Sequence, residues 1–300
     1  MIPPRAILAP VDFSDTARAA LVLAARLAQH CGADLHVLYV EDPLLVAAAH
    51  HAGIKLGRET HEELQRFIAG AWPAAQCSPQ SHLIAGVPVD VILDVAHQHR
   101  ADLVVVSSCG MSGVERLVFG STTEGLLRRT DVSVLIAPAE WRPPHPDALD
   151  LSGLGPLVVM VDLSDDPSIA AAKAACKLAS ILGSSVEIVP VVPDLAVQSR
   201  WRPHADTAVR ERVAAARQEI ELLIRGLGRS VAVEIRVEAS AMPSQLAEAA
   251  GRDSDRAPIL VLGKKATGST RARSGAIAYR VLSMAPVPVL MHVAGHNAWT

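Results

Sequence analysis

Two stretches of this 300-residue sequence, half a chain apart, read nearly alike. The first runs Ile7-Leu-Ala-Pro-Val-Asp12-Phe-Ser14-Asp and the second Leu157-Val-Val-Met-Val-Asp162-Leu-Ser164-Asp. Each is a short apolar run closed by Asp and then Ser, and each leads into an Ala-rich stretch ending in glycine, at Gly32 and Gly183. Leu35–Val40 then matches Val186–Val191, Leu103–Val106 matches Ile259–Leu262, and Val132–Pro138 matches Val287–Val293. A repeat this long means two copies of one domain and not a solenoid. We place the first domain at residues 1–139 and the second at 157–300. The linker at 140–156 holds Arg142-Pro-Pro-His-Pro, Gly153, Gly155 and Pro156, a Pro/Gly cluster between two complete patterns.

Within each copy, Val- and Ile-rich apolar runs alternate with helical patterns. In the first copy strands are expected at 6–11, 34–40, 81–85, 102–107 and 132–137. Helices are expected at 14–31, about 54–72, 88–99 and 114–129. In the first helix Ala17, Ala20, Leu21, Ala24, Leu27, Ala28 and Cys31 share a face, and Ser14 is placed to cap it. In the second copy Asp166-Pro167 is the matching start signal, and Gly226 and Gly228 can end a helix over Arg210–Arg225. Strand and helix in strict alternation predict an α/β fold, a five-stranded mainly parallel sheet with helices on both faces. In such sheets ligands sit at the carboxyl ends of the strands, where strand order reverses.

Composition narrows the function. Half the residues are hydrophobic but only 3% are aromatic, so Ala, Val, Leu and Ile must build the cores. With a formal net charge of −3 and few rings to stack on, neither nucleic acid nor an anionic membrane is an expected partner. Cys31, Cys77, Cys109 and Cys176 fit no zinc spacing and no disulfide framework, which suits a reducing cytosol. Met1-Ile-Pro-Pro-Arg5 leads almost directly into a strand, and no leader is expected. His50, His51 and His61 read as solvated loop histidines, His97 and His99 cannot share a helical face, and no metal is expected.

The chemistry concentrates after the fourth strand. Ser107-Ser-Cys109-Gly110-Met-Ser-Gly113 is followed by Gly120-Ser121-Thr122-Thr123, which opens a helical pattern. Small residues let backbone N–H groups approach an anion, and a helix N-terminus adds free donors and a favourable dipole. The same four residues would also serve as a plain helix cap, and spacing alone serves both readings equally. The Walker pattern GxxxxGKS/T and a GxGxxG after a strand are both absent.

Three features together resemble the universal stress protein family. They are Val11-Asp12-Phe13-Ser14, the block from Ser107 to Ser121, and the ending Val132-Ser-Val-Leu-Ile-Ala137. The family's nucleotide motif is G-x2-G-x9-G-S/T. This chain has Ser107-x2-Gly110-x9-Gly120-Ser121, with the spacing kept and one glycine replaced. The resemblance implies two tandem adenine-nucleotide-α-hydrolase-like domains packed as a pseudo-dimer, able to pair again as a homodimer. It implies an adenine nucleotide in the first copy: ATP, with ADP or AMP as alternatives, and Mg2+ only as companion to the phosphates. Pro10, Val11 and Asp12 would meet the base or its neighbourhood, and Val40 would pack on the ring. Val106, Ser107 and Cys109 would line the ribose side. Gly110 and Gly120 would let the backbone wrap the phosphates, and Ser121, Thr122 and Thr123 would donate to them. A left-handed φ at position 107 would cost a serine on the order of 1–2 kcal/mol, whereas a position needing only room could accept it.

The second copy reads Gly263-Lys-Lys-Ala266 and later Gly275-Ala276, so Ala266 replaces the second glycine and Ala276 the phosphate hydroxyl. Lys264, Lys265, Arg271 and Arg273 make the region basic, as an exposed solvated loop would be. No GxSxG, HExxH or other catalytic pattern stands out. The reading is a cytosolic, nucleotide-binding stress or regulatory protein without strong catalysis. The alternatives are a nucleotide-independent scaffold and a weak ATPase or self-phosphorylating protein.

Overall fold

The computed structural model describes residues 3–71, 79–109, 120–142, 151, 154–161, 166–190, 207, 211, 214–215, 217–222, 224–225, 231–235, 257–264, 282 and 285–295. Two compact units divide the chain between Leu151 and Ser152.

The first unit runs β1 (Ala6–Val11), α1 (Asp15–Cys31), β2 (Asp34–Glu41), α2 (Pro43–His51), α3 (Leu56–Ala71), β3 (Gln80–Ala85), α4 (Pro88–Gln98), β4 (Leu103–Ser107), α5 (Ser121–Arg129) and β5 (Ser133–Ala137). Its strands lie in the order β3-β2-β1-β4-β5 and every pairing is parallel. Strand order reverses between β1 and β4. Right-handed crossovers then put α1 and α3 on one face and α4 and α5 on the other. The core is aliphatic, with Ile7, Leu8, Leu21, Leu23, Leu38, Ile92 and Leu126 fully buried.

The ends of α1 follow from its sequence. Ser14 stays extended and its hydroxyl accepts from the Ala17 N–H at 3.1 Å. At the other end Gly32 adopts φ 66°, a left-handed turn that costs glycine little. In the stretch expected to be loop, Asp42 caps α2 by accepting from the Leu44 N–H at 2.8 Å, with Pro43 at the first helical position. His50 and His51 therefore sit on α2 and His61 on α3, not in a loop. The helix expected at 114–129 is described from Ser121 onward.

The second unit runs β6 (Leu154–Val161), α6 (Asp166–Leu182), β7 (Val186–Pro190), β8 (Val233–Ile235), β9 (Ala257–Lys264) and β10 (Val289–Val293). Its order, β8-β7-β6-β9-β10, repeats the first unit's, again all parallel. The strand β6 starts at Leu154, inside the segment read as linker to residue 156. No helix among the described residues is long and apolar enough to cross a membrane.

Candidate functional site

At the carboxyl ends of β1, β2 and β4 lies a cavity of about 320 Å3, at the strand-order reversal where α/β sheets bind ligands. Pro10, Val11 and Asp12 line it from β1 and the turn after it, Leu38, Tyr39 and Val40 from β2, and Val106 and Ser107 from β4. Gly120, Ser121, Thr122 and Thr123 close it from the start of α5, and Ala17, Pro88 and Ile92 complete the wall. Apart from Cys109, every described residue expected at the site lines this one cavity. Gly110 lies outside the described residues. Pattern reading missed Ala17, Leu38, Tyr39, Pro88 and Ile92. The first helical turn and strand parity could have flagged Ala17 and Leu38, but α4 reaches the site only through tertiary packing.

The turn after β1 is strained and braced. Phe13 has φ 63°, a left-handed value that costs a side chain about 1–2 kcal/mol. Its ring stacks on Tyr39 at 4.3 Å between centroids and meets Phe67 edge-on at 5.5 Å, while the Arg18 guanidinium covers Phe67. Such strain persists only where the surroundings over-determine it, and it gathers at ligand sites. Burial pushes the Tyr39 phenol above its ordinary pKa, with Glu41, Glu63 and Asp12 adding to the effect, so it stays neutral. Asp12 accepts from the Ser14 N–H at 3.1 Å and from its hydroxyl at 2.5 Å.

A second set of bonds ties the start of α1 to the end of β4. The Thr16 and Ser107 hydroxyls both donate to the Cys109 carbonyl, at 2.7 and 2.9 Å. Cys109 thus enters through its backbone, as the knot behind the wall. Ser107 is an ordinary strand residue, paired with Ala137, and it is not among the left-handed non-glycine residues Phe13 and Arg100. The serine in place of the family glycine therefore carries no left-handed backbone cost. The corresponding Gly263 in the second unit is different. A Cβ there would lie 2.2 Å from the Pro167 carbonyl oxygen and 2.8 Å from the Ser168 nitrogen. There glycine is required for room.

The loop leaving β4 is closed at its base by the Gly120 N–H donating to the Ser108 carbonyl at 2.9 Å. Gly120 is the N-cap of α5, extended at φ −65°, so its freedom at positive φ is not used. Having no side chain, it cannot cap the free N–H groups of the first turn, and those begin at the cavity wall. The three hydroxyls divide. Ser121 is exposed and Thr122 half-buried, whereas Thr123 is buried and donates to the Ser107 carbonyl at 2.9 Å. The Thr123 proton thus locks α5 to β4 instead of facing outward. In the second unit Asp162, Val191, Ala266, Gly275 and Ala276 lie outside the described residues.

Residues 4–138 match the sequence profile of the universal stress protein family. The first unit is thus a universal stress protein domain. A universal stress protein of Methanocaldococcus jannaschii is 27% identical over 135 residues, 43% of this chain and 79% of that one. Another, from Bacillus subtilis, is 28% identical over 142 residues, 43% of this chain and 96% of its own. A crystal structure of a universal stress protein from Archaeoglobus fulgidus covers 95% of both chains at 18% identity with a TM-score of 0.59, which extends the likeness of fold across both units.

Proposed function

We propose that the first unit binds an adenine nucleotide, ATP foremost, and that the chain works as a cytosolic stress or regulatory protein whose nucleotide biases a conformation or a partner surface without strong catalysis. The observation that carries this reading is the meeting of one apolar wall and one helix N-terminus in a single cavity. Val11, Leu38, Val40, Val106 and Ile92 suit a purine face. The uncapped first turn of α5, with the Ser121 and Thr122 hydroxyls, suits phosphate oxygens. A volume of about 320 Å3 is at the low end for small-molecule sites. Asp12 is the lone carboxylate among the described lining residues, and the hydroxyl bonded to it, Ser14, does not line the cavity.

Titration calorimetry of the full chain with ATP tests this. One site per chain is expected, with no phosphate release above background. Ser121→Ala removes one hydrogen bond to a charged group, and affinity should fall roughly ten-fold or more. A stoichiometry of two, or undiminished binding by Ser121→Ala, sinks the proposal. Phosphate release that disappears in Ser121→Ala would favour an enzyme.

A further inference from the structure

Towards the other end of the same sheet lies a group of side chains that nucleotide binding does not use. His36 interrupts the apolar run of β2 and is only 4% exposed. The register pairs Leu38 with His82 of β3, so His82 shares a sheet face with Leu38 and His36. His99 is the residue that ends α4, the helix covering that face. His36 Nδ1 and His82 Nε2 are 3.0 Å apart. The His99 ring centroid lies 4.3 Å from that of His36 and 4.7 Å from that of His82. Each ring offers a nitrogen within 4.8 Å of the other two. Two residues of extended strand, about 7 Å, separate His36 from Leu38, the nearest wall residue on β2, and none of the three histidines lines the cavity, so the sites are neighbours with separate side chains.

Three imidazoles packed together are poor company as cations and good company as ligands. Burial, reinforced by His99 and His82, holds the His36 pKa down at about 4, against a smaller opposing pull from Asp34. His82 is lowered too, by burial and by His99. At neutral pH both rings therefore keep the lone pair that a metal needs. Zn–N bonds of 2.0–2.1 Å at tetrahedral angles set the nitrogens roughly 3.3 Å apart. Metal binding would replace the His36–His82 hydrogen bond, shifting its proton to the donor ring's other nitrogen and opening the pair by a few tenths of an ångström. The half-buried His99 supplies the third side, with a ring nitrogen within 4.8 Å of the other two. A donor set of imidazole nitrogens, with no carboxylate or thiolate in the group, selects borderline cations over Mg2+ or Ca2+.

We propose that His36, His82 and His99 form a binding site for a borderline divalent cation, Zn2+ foremost, with a fourth position left for water or an outside ligand. The ligands come from two adjacent strands and a helix end. The ion would therefore fasten the edge strand β3 and the end of α4 to β2.

The test uses the full chain stripped by a chelator, then titrated with Zn2+ against a chromophoric competitor and, separately, with Co2+. One Zn2+ per chain is expected, together with the visible absorption of tetrahedral Co2+. His82→Gln and His99→Gln, both at half-buried positions, should each weaken Zn2+ binding at least about 100-fold and abolish the Co2+ bands. His50→Gln and His51→Gln, on the exposed α2, should leave both readouts unchanged. Circular dichroism and urea unfolding confirm that each variant is folded. No binding at micromolar Zn2+, binding kept by both His82→Gln and His99→Gln, or binding lost with His50 or His51 would overturn the assignment.

Discussion

Replacing Ser107 by glycine restores the family's motif, and two physical accounts of the site predict opposite signs for its effect. If the position demanded a left-handed backbone, the serine would be strained and Ser107→Gly would stabilise the protein by about 1–2 kcal/mol. The structure shows an extended residue whose hydroxyl donates to the Cys109 carbonyl at 2.9 Å. Losing that bond costs about 0.5–1.5 kcal/mol, and a glycine within a strand costs roughly a further 0.5–1 kcal/mol. Ser107→Gly should therefore destabilise the protein by about 1–2.5 kcal/mol, a fall in Tm of roughly 2–10 °C for a unit of this size. Urea unfolding followed by circular dichroism, with an unchanged m-value, measures it. A variant more stable than the parent would refute the reasoning outright. The mirror substitution provides the control. Gly263→Ser sets a Cβ against the Pro167 carbonyl and the Ser168 nitrogen, which are backbone atoms that cannot rotate aside. It should cost on the order of 3 kcal/mol.

Thr123→Val keeps the shape of the side chain but leaves the Ser107 carbonyl without its hydroxyl donor, so stability should fall by about 1–2 kcal/mol in the same urea assay. Its effect on ATP affinity should be small beside that of Ser121→Ala, because the Thr123 proton is already committed within the protein. Burial pushes the Cys31 thiol up to about 11, so only about a thousandth is thiolate at pH 8. Iodoacetamide labelling read by mass spectrometry should accelerate roughly ten-fold per pH unit up to that value. A plateau below pH 10 would contradict it.

The strands of the first unit could be placed from the sequence to within a residue at each end, because buried parallel strands are continuous apolar runs bounded by turn residues. The helix α2 was missed although Asp42-Pro43 carries the same start signal as Asp166-Pro167. An all-round apolar and His-rich stretch shows no amphipathic period, and α2 buries only Ala49. Most of the cavity wall was legible because strand ends and a small-residue helix start are local features. The inward turn of Thr123 was not, since three consecutive hydroxyls look alike until the helix phase is known. The histidine cluster was the least legible. His82 and His99 meet His36 only through the β2–β3 register and the end of α4, although a polar ring at a buried strand position was itself a signal.

The comparison of position 107 with position 263 locates where the two units part. In the second unit the backbone at the start of α6 presses against the end of β9, and only glycine fits between them. In the first unit the start of α1 stands off far enough for a serine. Thr16 and Ser107 both reach the same carbonyl, and Ala17 and Ser107 share a cavity wall. The same point in the same fold is thus a packing contact in one unit and an edge of a cavity in the other. Loss of the hydroxyl at Ala276 is then not the whole difference between the copies. The spacing between the first helix and the fourth sequential strand has diverged as well, and that spacing is set by backbone packing, which no single loop substitution restores.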